Sequence, residues 1–194
     1  MTHDELATRQ PLWEAMSDLF LDTEVRWSVP HVAFACVASG LDDETLERIF
    51  WAEVFPEAIG NLTQVAGEWA MLKLDEAALI KRANSGSIPW LSRRAHGSLV
   101  QDSWLAVREV ASWLRADALE ERKQHVQALD LLGRRYFETP GQESSFATAE
   151  RFAALQDVAR VEWARYEAVC QRQRLGAEPP HAACANEVKK LLAG

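Results

Sequence analysis

The chain has little of what marks secreted, membrane or nucleotide-handling proteins. Of its 194 residues three are cysteines, Cys36, Cys170 and Cys184. An odd, widely spaced set makes no disulfide framework and suits a reducing compartment. No apolar run approaches the roughly 20 residues needed to cross a bilayer. The opening, MTHDELATRQ, is polar and acidic and lacks the basic and apolar segments of a secretory leader, so a cytoplasmic protein is expected. No Gly-x-Gly-x-x-Gly, phosphate-cradling loop or Gly-x-Ser-x-Gly occurs. Dinucleotide binding, nucleotide hydrolysis and serine-nucleophile chemistry therefore have no recognisable carrier. Strand-like alternation is almost absent.

What is abundant is apolar and aromatic. Hydrophobic residues make up 48% of the chain and eight are tryptophan, enough for a sizeable core and too many for intrinsic disorder. The net charge of −8 is unevenly distributed: residues 1–84 hold 15 acidic side chains against six basic, residues 85–194 hold 14 against 15. That balance argues against nucleic-acid binding, whose affinity comes mainly from cations on phosphates. An acidic half favours a basic protein partner, because opposite potentials speed association and suppress wrong partners.

The apolar spacing is helical throughout. Leu12, Trp13, Met16, Leu19 and Phe20 follow the i, i+3, i+4 pattern of one buried face, with Pro11 suited to a first turn. PHVAFACVASG predicts a short apolar helix from Pro30 to Gly40. DDETLERIFWAEVF predicts another, capped by Asp42 or Asp43, burying Leu46, Ile49, Phe50 and Phe55 and ending or kinking at Pro56. Two further short helices follow, the second opened by Asp75. The Ser- and Gly-rich stretch NSGSIPWLSRRAHGS, residues 84–98, marks the expected boundary. Beyond it, Leu99, Trp104, Val107, Val110, Ala111 and Leu114 are helically spaced. Residues 117–137 continue so, with a bend at Gly133, and a helix of roughly 30 residues ends near GAEPPHA. The expected fold is all-α: an acidic multi-helix N-terminal unit, 1–84, then a helical hairpin or bundle with one long helix, 85–194.

Candidate chemistry is concentrated in one acidic row. Glu14, Asp18 and Asp22 recur every fourth residue, Glu24 follows, and no lysine or arginine lies between Arg9 and Arg26. Each like-charged i, i+4 contact costs roughly 0.2–0.5 kcal/mol on an isolated helix. Paired carboxylates could hold a divalent metal or supply an acid and a base. Bundle metal sites, however, use Glu-x-x-His elements, and His31 is the only histidine between His3 and His96. The row reads instead as a solvated or partner-facing surface, and no metal or cofactor is expected. Asp42, Asp43 and Glu44, with Glu47, form a second cluster, partly explained by the dipole of the helix they start. Cys170, His181 and Cys184 lack a fourth ligand, and Glu121 with His125 reads as a surface pair. The doublets Arg93-Arg94 and Arg134-Arg135 read as offsets to nearby acids. Trp13, Trp51, Trp104, Trp113 and Trp163 fall in core patterns. Trp90, beside Pro89 and followed by Arg93-Arg94, is a candidate binding residue, since Trp and Arg are enriched at interface hot spots.

Three stretches, RQPLWEAMSDLFLDTE, EVFPEAIGNLTQVAGEWA and LDEAALIKR, resemble a family of small bacterial proteins that open on Arg-x-Pro-x-Trp-x-x-Leu-Ser-x-Leu-Phe-Leu-Asp-Thr-Glu. Met16 replaces the motif's Leu, a conservative difference. The likeness covers about residues 6–83. It implies a bacterial, cytoplasmic helical domain of the kind found among toxin-linked accessory and immunity proteins, and it carries no catalytic residues.

The expected function is therefore a non-enzymatic immunity-type protein that neutralises a cognate toxin, such as a basic nuclease, by occluding its active site. Glu14, Asp18, Asp22, Glu24, Asp42, Asp43, Glu44 and Trp90 are the expected partner-binding residues. The alternatives are a carboxylate-based metal-dependent hydrolase and a helical adaptor or scaffold.

Overall fold

The structure, a computed structural model, describes residues 1–21, 25–63, 74–116, 121, 161 and 164–175. It is all-α, with no strand among the described residues. Helix α1 (His3–Ser17) starts two turns before Pro11. Thr2 Oγ1 accepts from the Glu5 amide (3.2 Å) and Glu5 Oε2 accepts from the Thr2 amide (2.6 Å). This reciprocal capping box fixes the start, so Pro11 lies inside the helix rather than in its first turn, where it leaves the Ala7 carbonyl without its helical donor. Beyond Ser17 the chain tightens into a 3₁₀ turn, Asp18–Phe20, that buries Leu19 and Phe20.

Helix α2 (Val29–Ala38) carries Pro30 in its first turn and stops before Gly40, whose φ of +70° suits a residue without Cβ. Helix α3 (Asp43–Arg48) is capped by Asp42, which accepts from the Thr45 amide at 2.7 Å. It runs unbroken into a π-helical turn, Ile49–Val54, and on into α4 (Phe55–Thr63). The sequence pattern places an end or kink at Pro56; the helix does not end there, and its α-helical bonding gives way to the π turn just before it. A proline in an α-helix lacks a donor and collides with the carbonyl four residues back. The wider π turn just before Pro56 makes room for the ring. All six side chains of that turn are buried, Glu53 among them.

Asp75 caps α5 (Glu76–Ser85) by accepting from the Ala77 and Ala78 amides, and Gly86 closes it at φ +62°. The 84–98 stretch contains a short helix, α6 (Trp90–His96), followed by α7 (Ser98–Ala116). Residues 164–172 are also helical. The first of the two short helices expected before residue 84, the bend at Gly133 and most of the expected long helix lie outside the described residues.

Helix α2 packs most extensively on α7, and α1, α3 and α5 surround the π turn. At the centre, Phe50 stacks on Trp104 (ring centroids 4.2 Å apart, 3° between planes) and meets Trp51 edge-on at 4.8 Å. Offset and edge-to-face rings of this kind add to area burial. Phe20 joins them at 5.7 Å from Phe50. Every core residue expected for residues 12–20 and 46–55 is buried, as are Trp104, Val107, Val110, Ala111 and Leu114. Leu99 is the exception, exposed on the first turn of α7. Tyr166, Val169 and Cys170 enter the same core, and the Tyr166 hydroxyl donates to the Arg26 carbonyl.

Candidate functional site

The continuous helix 43–63 carries carboxylates at 43, 44, 47, 53 and 57, and those at 43, 47, 53 and 57 are each engaged by an arginine from another element. Asp43 pairs with Arg115 and Glu47 with Arg108, on α7, the second at 3.4 Å. Four residues on α3 thus match seven on α7, one turn against two, as an antiparallel ladder. Glu57 pairs with Arg82 on α5. Glu53, 2% exposed, accepts from Arg9 Nη1 at 2.8 Å and Trp13 Nε1 at 2.7 Å. Burial pushes the Glu53 carboxyl above its ordinary range, opposed by the Trp13 and Arg9 hydrogen bonds and by Arg48.

Glu47 collects the most partners. Its Oε1 accepts from Trp51 Nε1 (2.9 Å) and its Oε2 from Trp104 Nε1 (2.8 Å). Arg93 Nη2 stands 3.7 Å from Oε1, and the Arg93 guanidinium lies 4.2 Å over the Trp51 ring. Two indole donors that would otherwise be buried without acceptors thereby find one carboxylate. Neither Glu47 nor Glu53 is singled out by local sequence pattern, because their partners lie 40 to 61 residues away. The local signs are the Glu47–Trp51 spacing of four and the place of Glu47 in the second acidic cluster.

The acidic row does not form a single helical stripe. Glu14 is exposed on α1, but Asp18 starts the 3₁₀ turn and is half-buried. Burial raises its carboxyl above the usual value, with the nearby charge of His31 working the other way. Asp22 and Glu24 lie outside the described residues. In the second cluster, Asp42 is an N-cap whose hydrogen bonds from Thr45 lower its pKa, Asp43 is held by Arg115, and Glu44 is exposed.

Trp90 is 64% exposed and stands with Leu91 (65%), Leu99 (54%) and Ile88 (38%) along α6 and its flanks. The seven residues of α6 bury no side chain. Among the large apolar side chains of the described residues, only Val161 matches the exposure of Trp90 and Leu91. Arg93 turns inward to Glu47 and Trp51, while Arg94 and His96 are exposed. The sequence signal for Ile88 and Leu91 is an apolar run around Pro89 that fits no buried face, whereas Leu99 follows the α7 period and its exposure has no sequence signal.

Elsewhere the chemistry is sparse. Cys36 and Cys170 are buried free thiols, and burial pushes Cys36 up to about 12. No group of three metal-ligating side chains converges among the described residues. Cys184, His181, His125 and the Arg134-Arg135 doublet lie outside them, as does the side chain of Trp163. No described helix is long and apolar enough to cross a membrane.

The fold and its arginine-paired central helix define an all-helical domain. The chain belongs to the family described as a domain of unknown function, DUF7079, whose model matches residues 7–129, from α1 past the end of α7. No curated protein and no solved structure matches it.

Proposed function

We propose that the chain is a non-enzymatic bacterial immunity-type protein of the cytoplasm, which binds a cognate toxin and occludes its active site. The contact centres on Trp90 and Leu91. The observation that carries this reading is their exposure, 64% and 65%, on a helix that buries nothing. A protein stabilised by so many buried tryptophans gains nothing in its own core from leaving one outside, whereas an exposed Trp with flanking arginine matches the make-up of interface hot spots. The exposed carboxylates Glu14, Asp42 and Glu44 supply a field that attracts a basic partner, with Asp18, Asp22, Asp43 and Glu24 adding to it. Glu44 lies one turn from Glu47, where Arg93 joins α6 to α3. Part of this field therefore borders the apolar contact.

The test is growth rescue. The protein retained by the tagged chain from its native cell is expressed in a foreign host, alone and with the chain. The wild type is expected to restore growth, and a Trp90→Ala, Leu91→Ala variant of unchanged stability to fail. A retained protein without effect on growth, equal rescue by the variant, or stoichiometric divalent metal with hydrolytic activity in the purified chain overturns the reading.

A further inference from the structure

Helix α6 displays the apolar surface yet contributes no side chain to the core. Something else must hold it, and we infer that Arg93 is its positioning residue, a latch that seats α6 on the Trp51–Glu47 platform. This rests on the reading of α6 as the binding surface and concerns how that surface is kept in place. Among the described residues, no other α6 side chain makes an ion pair or a side-chain hydrogen bond. Arg93 makes two contacts to one seat: its guanidinium covers the Trp51 ring at 4.2 Å, and its Nη2 lies 3.7 Å from Glu47 Oε1.

The seat itself is rigid. Trp51 and Trp104 are fully buried, both donate to Glu47, and Trp104 stacks on Phe50 at 4.2 Å. A planar guanidinium suits this seat because it can stack on an indole face while its edge points at a carboxylate. At the other end, Gly97 joins α6 to α7, and its amide donates to the Arg93 carbonyl at 2.8 Å. A Cβ there would stand 2.4 Å from that carbonyl oxygen, so the joint closes only over glycine. The latch and the joint lie four residues apart, and together they fix the direction in which Trp90 and Leu91 face. Both latch contacts are partly solvent-exposed, so salt weakens the ionic one.

Amide hydrogen exchange of the full chain tests this, at 50 and 500 mM NaCl, for the wild type, Arg93→Ala and Arg93→Lys. The reporters are the amides of Arg93 to Gly97, with α2 and residues 104–114 as internal references. Arg93→Ala is expected to speed exchange in α6 roughly tenfold while the references stay unchanged. Arg93→Lys, which keeps the charge and part of the ring contact, should restore a good part of the protection. High salt should speed α6 exchange severalfold in the wild type and leave Arg93→Ala unaffected.

Unchanged α6 exchange in Arg93→Ala, or loss of protection spread equally through α2 and α7, overturns the latch. A salt-insensitive wild type does so even if the alanine variant fails to fold. The binding reading fails separately: if Trp90→Ala keeps both wild-type α6 protection and wild-type affinity for the partner, α6 is latched but is not the contact.

Discussion

Glu47 shows how a surface-looking acid becomes structural. It accepts from two indole nitrogens and faces two arginines. Removing one partner of a buried donor costs about 1–3 kcal/mol, more than the net value of an ordinary hydrogen bond. Glu47→Ala strips the acceptor from both Trp51 and Trp104 and should destabilise the fold by about 2–4 kcal/mol in urea unfolding. Glu47→Gln should cost less, because its carbonyl still serves one indole while its amide group opposes the other. A loss below about 0.5 kcal/mol for the alanine variant would assign the indoles other acceptors.

Little of this was legible locally beyond the Glu47–Trp51 spacing of four and the place of Glu47 in the second acidic cluster. The sequence shows the carboxylates and tryptophans, but the pairings of Glu53 with Trp13, Glu47 with Trp104 and Asp43 with Arg115 span 40, 57 and 72 residues. The spacing that stood out, Glu14 to Asp18 to Asp22, assumes one continuous helix, and the chain leaves the α-helical path at Asp18.

At the scale of elements, apolar periodicity located the buried faces well and the ends less well. The five core positions of α1 and its 3₁₀ turn, and the four at 46–55, followed from spacing because burial selects them directly. Pro11 lies inside its helix rather than in the first turn, and Pro56 does not end its helix but follows an interruption in its α-helical bonding. A capping box upstream of one, and a π turn before the other, keep the helices going where local rules stop them. Leu99 fits the α7 period but belongs to its first turn, beside α6, and is 54% exposed.

The junction itself makes a prediction. In an exposed helix, glycine to alanine gains about 1 kcal/mol. At Gly97 the added Cβ meets a backbone carbonyl at 2.4 Å, so Gly97→Ala should instead lower stability by about 1–3 kcal/mol. Thermal unfolding measures it, and a raised midpoint would mean that the α6–α7 joint has room to spare.

Across the whole molecule, the charge asymmetry acquires a second meaning. The acidic half and the arginines of the later half meet at the surface between α3 and α7: Arg108 and Arg115 answer Glu47 and Asp43. Part of the excess negative charge is therefore consumed within the chain, and Glu14, Asp42 and Glu44 remain on the surface. One buried cluster includes residues from both sides of the 84–98 stretch, with Trp51 and Trp104 in the same core. Among the described residues, α6 and its flanks carry most of the large apolar side chains held in solvent, with Val161 and Met1 elsewhere. Trp90 was visible in the sequence as a candidate, but its exposure was not, since an apolar residue beside a proline serves equally as a loop anchor.

The central claim is that α6 meets a protein partner. Its most direct measurement places a photoreactive amino acid at position 91 of the full chain in its native cell, with position 14 as comparison. The account predicts one defined adduct from position 91, reduced at least tenfold when Trp90 is also changed to alanine. Adducts that form at position 14 but not at 91, or that persist undiminished without Trp90, would contradict it.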